Sequence, residues 1–116
     1  VIELNPTIIP IANELSRSTQ SIMGNRLRKI ILYGSYARGD YNDYSDLDIM
    51  VLADVDEVEY KTLESEIDRI ASDIGLEHDL IVSVLLNNED LFMSRLPISP
   101  FYRNVLSEGV EIYGKH

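Results

Sequence analysis

Residues 30–52 read IILYGSYARGDYNDYSDLDIMVL, and the reading of this stretch decides the fold. An apolar run from Ile30 to Tyr33 stops at Gly34-Ser35, and a second, Ile49 to Leu52, follows directly on Asp46-Leu47-Asp48. Both runs have strand length and are rich in branched side chains, and the polar segment between them turns the chain. Residues two apart in a strand point to the same face, so Asp46 and Asp48 stand side by side, at the mouth of an otherwise apolar strand. Left alone, the two carboxylates repel and raise each other's pKa. A cation relieves them, and carboxylate oxygens suit Mg²⁺, which is commonly held by one or two carboxylates together with phosphate oxygens. At the other end of the turn, Gly34 permits close approach of a ligand to the backbone. Free N–H groups just past a strand end can cradle phosphate, and the Ser35 hydroxyl adds a donor. The two ends meet if the strands lie antiparallel.

Working outward, Asn5-Pro6-Thr7 marks a helix start, Ile8, Ala12, Leu15, Thr19 and Ile22 follow at helical spacing, and Gly24 is placed to end that helix. The first strand is expected over 28–33 and the second over 47–53. Asp54 or Asp56 caps a further helix with the stripe Leu63, Ile67, Ile70, Ala71 and Ile74, stopped by Gly75. A third strand is expected over 78–86. Asn87-Asn88 caps a short helix through Leu96, Pro97 and Pro100 break the chain, and a last helix (101–107) and strand (110–113) follow. The order α-β-β-α-β-α-α-β predicts an α/β or α+β fold, a mixed sheet of three or four strands with helices packed on it, as one domain over 1–116. A third strand parallel to the second and opening at Asp79 would bring Asp79 to Asp46 and Asp48. Three carboxylates there could hold two metal ions and accept a proton.

Composition narrows the function. Ten Lys and Arg stand against twenty Asp and Glu, a net charge of −10. A basic face that neutralises phosphates is therefore not expected, and with it direct nucleic-acid binding. The acidity suits a basic protein partner, carboxylates that hold cations, or simple solubility. No stretch approaches the ~18 apolar residues of a membrane span, and no secretory or transit signal is visible. The chain opens on Val1, as expected of a processed or trimmed terminus. The absence of cysteine excludes disulfides and thiolate metal sites and fits a reducing cytoplasm. With two histidines and no cysteine, a zinc site is not expected.

Gly34-Ser35, ten residues, then Asp46-Leu47-Asp48 resembles the Gly-Ser-x10-Asp-x-Asp pattern of the DNA polymerase β-like nucleotidyltransferase superfamily. At roughly 6% per residue type, four fixed positions recur by chance about once in 10⁵ windows. In length and along most of its course the chain is similar to the minimal nucleotidyltransferases (MNT domains), including Ala37-Arg38-Gly39 and Ser45. The tail SPFYRNVLSEGVEIY resembles theirs too, without chemistry to derive from it. The resemblance implies phosphate binding by Gly34 and Ser35, two Mg²⁺ ions on Asp46 and Asp48, and Asp79 as completing ligand and general base. It implies a phosphate contact for Arg38, whose bland alternative is an ion pair with Asp40 or Asp43. Some MNT members are antitoxins of HEPN-domain toxins, and that branch transfers AMP from ATP to a toxin tyrosine.

The expected function is AMP transfer from Mg-ATP to a hydroxyl of a partner protein. A HEPN-type toxin or other helical chain is the expected partner, and a homo-oligomer is a further possibility. The alternatives are a non-catalytic nucleotide-binding or docking module and an aminoglycoside-type enzyme. About thirty residues follow the third strand, too few for a separate acceptor domain, so the acceptor surface is expected on another chain. Tyr36, Tyr41 and Tyr44 suit either stacking on a nucleobase or packing over the loop, and packing is the expectation.

Overall fold

A computed structural model describes residues 4–114. Helix α1, Ile8–Met23, buries Ile8, Ile11, Ala12, Leu15 and Thr19 along one stripe and leads through a short 3₁₀ turn into strand β1, Leu27–Tyr33. A single helical turn, α2, Ser35–Arg38, follows Gly34, and β2 runs over Leu47–Ala53. Helix α3, Glu57–His78, is capped by Asp56, whose carboxylate accepts from the Glu59 N–H at 2.9 Å. Strand β3, Val82–Asn88, leads into α4, Glu89–Arg95, capped by the Asn88 side chain. Helix α5, Pro100–Glu108, and strand β4, Val110–Gly114, complete the described chain.

The sheet has the order β3-β2-β1-β4. β1 is antiparallel to both β2 and β4, and β2 is parallel to β3. Strand alternation sorts the side chains onto two faces. Ile30, Leu32, Leu47, Ile49 and Val51 pack against α1 and α3. Ile31, Tyr33, Met50 and Leu52 pack against Phe92 of α4 and Val105 of α5. Covering both faces explains why β1 and β2 read as continuous apolar runs rather than alternating ones. Ile30 has no exposed surface. Ile30→Val, which deletes one methylene from this packing, is expected to cost about 1 kcal/mol, measured as a lower urea midpoint with unchanged slope.

Three expectations need correction, and one short element went unread. Gly75 does not stop α3, which runs three residues further, to His78. Gly75 is instead where the chain passes close behind the helix. A Cβ there would collide with the Leu80 carbonyl oxygen, and the Leu80 N–H donates back to the Gly75 carbonyl at 2.9 Å. The third strand starts at Val82 rather than His78, because Asp79 holds the left-handed turn (φ 52°) that ends α3. Pro100 opens α5 instead of breaking the chain before it, as its fixed φ and missing N–H allow at a first helical position. The α2 turn went unread, being too short for a periodic signal. His116 lies outside the described residues.

Candidate active site

The antiparallel register of β1 and β2 pairs Tyr33 with Asp48. Gly34 and Ser35 therefore leave β1 where Asp46 and Asp48 enter β2, as the expected geometry required. Gly34 has φ 77° and ψ −157°, a backbone region essentially closed to side-chain-bearing residues. A Cβ on Gly34 would run into the Asp48 carboxylate. The carboxylate thus lies against bare backbone, where the chain turns into α2. The Gly34 carbonyl accepts from the N–H groups of Ala37 (3.1 Å) and Arg38 (3.0 Å). This closes the turn and leaves the first N–H groups of α2 without helical partners, as at any helix start.

Gly34, Ser35 and Asp48 line a hollow of about 350 Å³ with Tyr33, Arg38, Phe101, Asn104, Val105 and Glu108. Asp48 is half-buried and Asp46 exposed. Burial raises the Asp48 pKa, the Asp46 charge raises it further, and Arg38 partly offsets both. The Tyr33 hydroxyl is pushed up to about 12 by burial and by the Asp48 charge. Two carboxylates that face each other with one arginine to relieve them fit a divalent cation, and the bare glycine backbone alongside leaves room for its ligand. The donor set passes the test for an oxygen-coordinated ion such as Mg²⁺.

Arg38 points its guanidinium at Asp40 (3.1 Å) and at Glu108 (3.1 Å). The ion pair with Asp40 was weighed from the sequence; the one with Glu108 was not. Phe101, Asn104 and Glu108 were missed as site residues altogether. Their spacing of three and four places them on one face of α5, a signal that was present, but only the packing of α5 beside β1 shows that this face looks into the hollow.

Asp79 stands outside β3. It ends α3 three residues before β3 begins. It lines a separate hollow with Ala71, Ser72, Gly75 and Leu76. Asp46, Asp48 and Asp79 do not form a cluster with all three carboxylates within 4.8 Å of one another; among the described residues only Glu14, Glu77 and His78 do so. The residue in register with Asp48 on β3 is Ser83. In the loop, Tyr36 and Tyr41 stack on each other at 4.7 Å, as packing predicts, while Tyr44 is 94% exposed. The Asn42 side chain and the Ser45 hydroxyl hold the turn before Asp46 by accepting from the N–H groups of Tyr44 (2.8 Å) and Asn42 (2.9 Å).

Comparison with known proteins agrees with this geometry. The nucleotidyltransferase domain family matches residues 12–112. A Methanocaldococcus jannaschii protein named "Putative protein adenylyltransferase MJ0604" is 37% identical over 100 residues, 86% of this chain and 92% of that protein. A second from the same organism, "Putative protein adenylyltransferase MJ0141", is 33% identical over 105 residues, 90% and 98% of the two chains. Among solved structures, a protein from Sulfolobus solfataricus described as a "putative nucleotidyltransferase" superposes with a TM-score of 0.61 at 20% identity, covering 94% of this chain and 84% of that one. A toxin-antitoxin structure with AMP-PNP superposes at 0.56 and 22% identity, covering 90% and 74%. The likeness to these structures is one of fold, and with the family match and the identity to the curated relatives it leads to one conclusion: the chain belongs to the nucleotidyltransferase domain family.

Proposed function

We propose that the protein transfers AMP from Mg-ATP to a tyrosine hydroxyl of a partner protein, as the antitoxin of a toxin-antitoxin pair whose toxin is of HEPN type. The observation that carries this reading is the abutment of Gly34 and Ser35 on Asp48 in one hollow, a phosphate cradle and a cation site in contact. The adenylyltransferase names of the curated relatives support AMP as the group, and the toxin-antitoxin structures that share the fold support the partner. A cytoplasmic setting, where ATP is at hand, accords with the cysteine-free composition.

In this reading Gly34 and Ser35 hold the β- and γ-phosphates, with Arg38 at their edge. Asp46 and Asp48 would hold the magnesium, which would neutralise phosphate charge and acidify the acceptor hydroxyl. The acceptor oxygen bonds to the α-phosphorus as the bond to the bridging β-phosphate oxygen breaks, and pyrophosphate leaves toward Gly34. The chain's contribution is positioning and charge compensation. Ser83 is in register with Asp48 and Asp79 caps a helix; the carboxylate that shares the hollow with Asp48 is Glu108, which is held by Arg38 at 3.1 Å rather than free to act as a base. That favours a phenol, pKa about 10, over an aliphatic alcohol as acceptor, its proton being released to solvent.

The test uses labelled ATP, Mg²⁺ and the protein encoded beside this one. Label is expected on a partner tyrosine with the wild type and not with Asp46→Asn. Asp79→Asn is expected to retain transfer within about fivefold and to fold normally, since asparagine tolerates the left-handed turn as aspartate does. Loss of transfer in Asp79→Asn would instead place that carboxylate in the reaction. A second reading, nucleotide binding without transfer, is favoured by Ser83 standing in register with Asp48. It is the reading that survives if wild type binds Mg-ATP yet labels nothing.

A further inference from the structure

We infer that the outer edge of β3 is a docking groove for an extended segment of the acceptor protein, added to the sheet as a fifth strand with a tyrosine facing Asp46 and Asp48. This rests on the transferase reading above and adds where the acceptor binds and in what conformation.

β3 is an edge strand. The Ile81 carbonyl accepts from the Leu47 N–H at 2.9 Å, so odd-numbered residues of this segment turn their backbone groups to β2. By alternation Val82, Val84 and Leu86 turn theirs outward. The Leu86 carbonyl takes the Tyr60 hydroxyl at 2.7 Å and the Val82 nitrogen lies beside Gly75 of α3, so α3 closes both ends of the edge and the outward groups between them, the Val82 carbonyl and the Val84 N–H and carbonyl, are the ones an added strand would meet. A strand edge with unpaired N–H and C=O groups is a template for another chain.

The two sides of this edge are already shaped for alternating side chains. On the α3 side lies a hollow of about 360 Å³ lined by Ala71, Ser72, Gly75, Leu76, Leu80 and Val82, among others. On the other side Ile81 and Leu85 flank Ser83, and Ser83 is in register with Asp48. Leu76, Ile81 and Leu85 are 83%, 67% and 41% exposed. An added strand would seat every second side chain in the hollow and lay the others over Ile81, Ser83 and Leu85, toward the carboxylate pair.

Two further observations select the occupant. Residues 39–60 and 70–94, which supply β2, β3 and their flanks, hold eight and five Asp or Glu and no Lys or Arg. The segment that binds is therefore basic at its ends. Two strand spacings, about 10 Å, separate an added strand from β2. A tyrosine hydroxyl stands far enough from its backbone to approach that site, and a serine hydroxyl does not. The direction also fits an in-line displacement. Pyrophosphate leaves on the β1 side of Asp48, so the attacking oxygen comes from the β3 side.

The experiment uses an end-blocked peptide, Lys-Val-Tyr-Val-Lys, as probe, with Glu-Val-Tyr-Val-Glu and Lys-Val-Ser-Val-Lys as comparisons. Amide NMR of the whole chain is expected to show shifts for Val82, Val84 and Leu76 with both lysine-flanked peptides and none with the glutamate-flanked one. Leu76→Lys is expected to weaken binding about tenfold or more, by placing like charge in the hollow. With Mg-ATP, label is expected on the tyrosine peptide and not on the serine one. Shifts elsewhere, no shifts, or equal binding by the glutamate-flanked peptide would overturn the inference. So would concentration-dependent shifts of the same amides without peptide, since the edge would then pair with a second copy. Calorimetry of Mg-ATP on the wild type without peptide tests the nucleotide site separately, so failure of that reading and failure of the groove are told apart.

Discussion

Asp48→Asn is expected to lower AMP transfer by at least about 10²-fold, the range for removing a group that stabilises developing charge, and at the same time to make the free chain more stable at neutral pH. The second half follows from the raised pKa. Burial first, and the Asp46 charge next, disfavour ionised Asp48 in the fold. The folded chain therefore holds that proton more tightly than the unfolded chain does. Stability falls as pH rises from about 4 through the folded value, above which the full cost is present. Asparagine removes it. In magnesium-free buffer the variant should melt above wild type at pH 7, and the gap should close at pH 3, below the ordinary aspartate pKa. Saturating Mg²⁺ should raise the wild-type melting temperature and leave the variant nearly unmoved, because only a state that binds gains from mass action. A variant that melts below wild type at pH 7 would show that the Asp48 carboxylate supports the fold.

Gly34→Ala is expected to do the opposite on stability and the same on activity. It forces alanine into φ 77°, ψ −157° and drives its methyl into the Asp48 carboxylate, with the Asp48 Cβ also only 3.3 Å away. The backbone strain alone is of order 1–3 kcal/mol, and relieving the collision displaces the Asp48 carboxylate or the turn, for about 3 kcal/mol or more in all. Transfer should fall by about 10²-fold even at temperatures where the variant is folded, since a displacement of about 1 Å suffices for that. Gly39→Asn is the matched comparison. Gly39 also has positive φ (88°, with ψ 8°), but in the left-handed helical region that asparagine enters readily. That variant should stay within about 1 kcal/mol of wild type by urea denaturation.

Much of the site was legible because it is local in sequence. Gly34 and Ser35 sit at the end of one apolar run, and Asp46 and Asp48 at the start of the next, so antiparallel pairing alone brings them together, and the register Tyr33–Asp48 does so. The start of the third strand was misread for an equally physical reason. His78 to Leu86 is one continuous run whose first residues favour a strand no more than a helix end. The chain spends Asp79 on the left-handed turn, with Leu80 bonding back to Gly75, before β3 begins.

The sequence by itself determined the element order apart from the α2 turn, the Gly34-Ser35 turn, the paired carboxylates and the nucleotidyltransferase resemblance, because each depends on residues within about twenty positions of one another and on the side-chain periods of strand and helix. Only the tertiary structure decided that Ser83 rather than Asp79 stands in register with Asp48, that Phe101, Asn104 and Glu108 of α5 wall the hollow, and that β3 is left as an open edge. These depend on strand register and helix docking across long stretches of chain, and no local preference encodes which strand ends at the rim of the sheet.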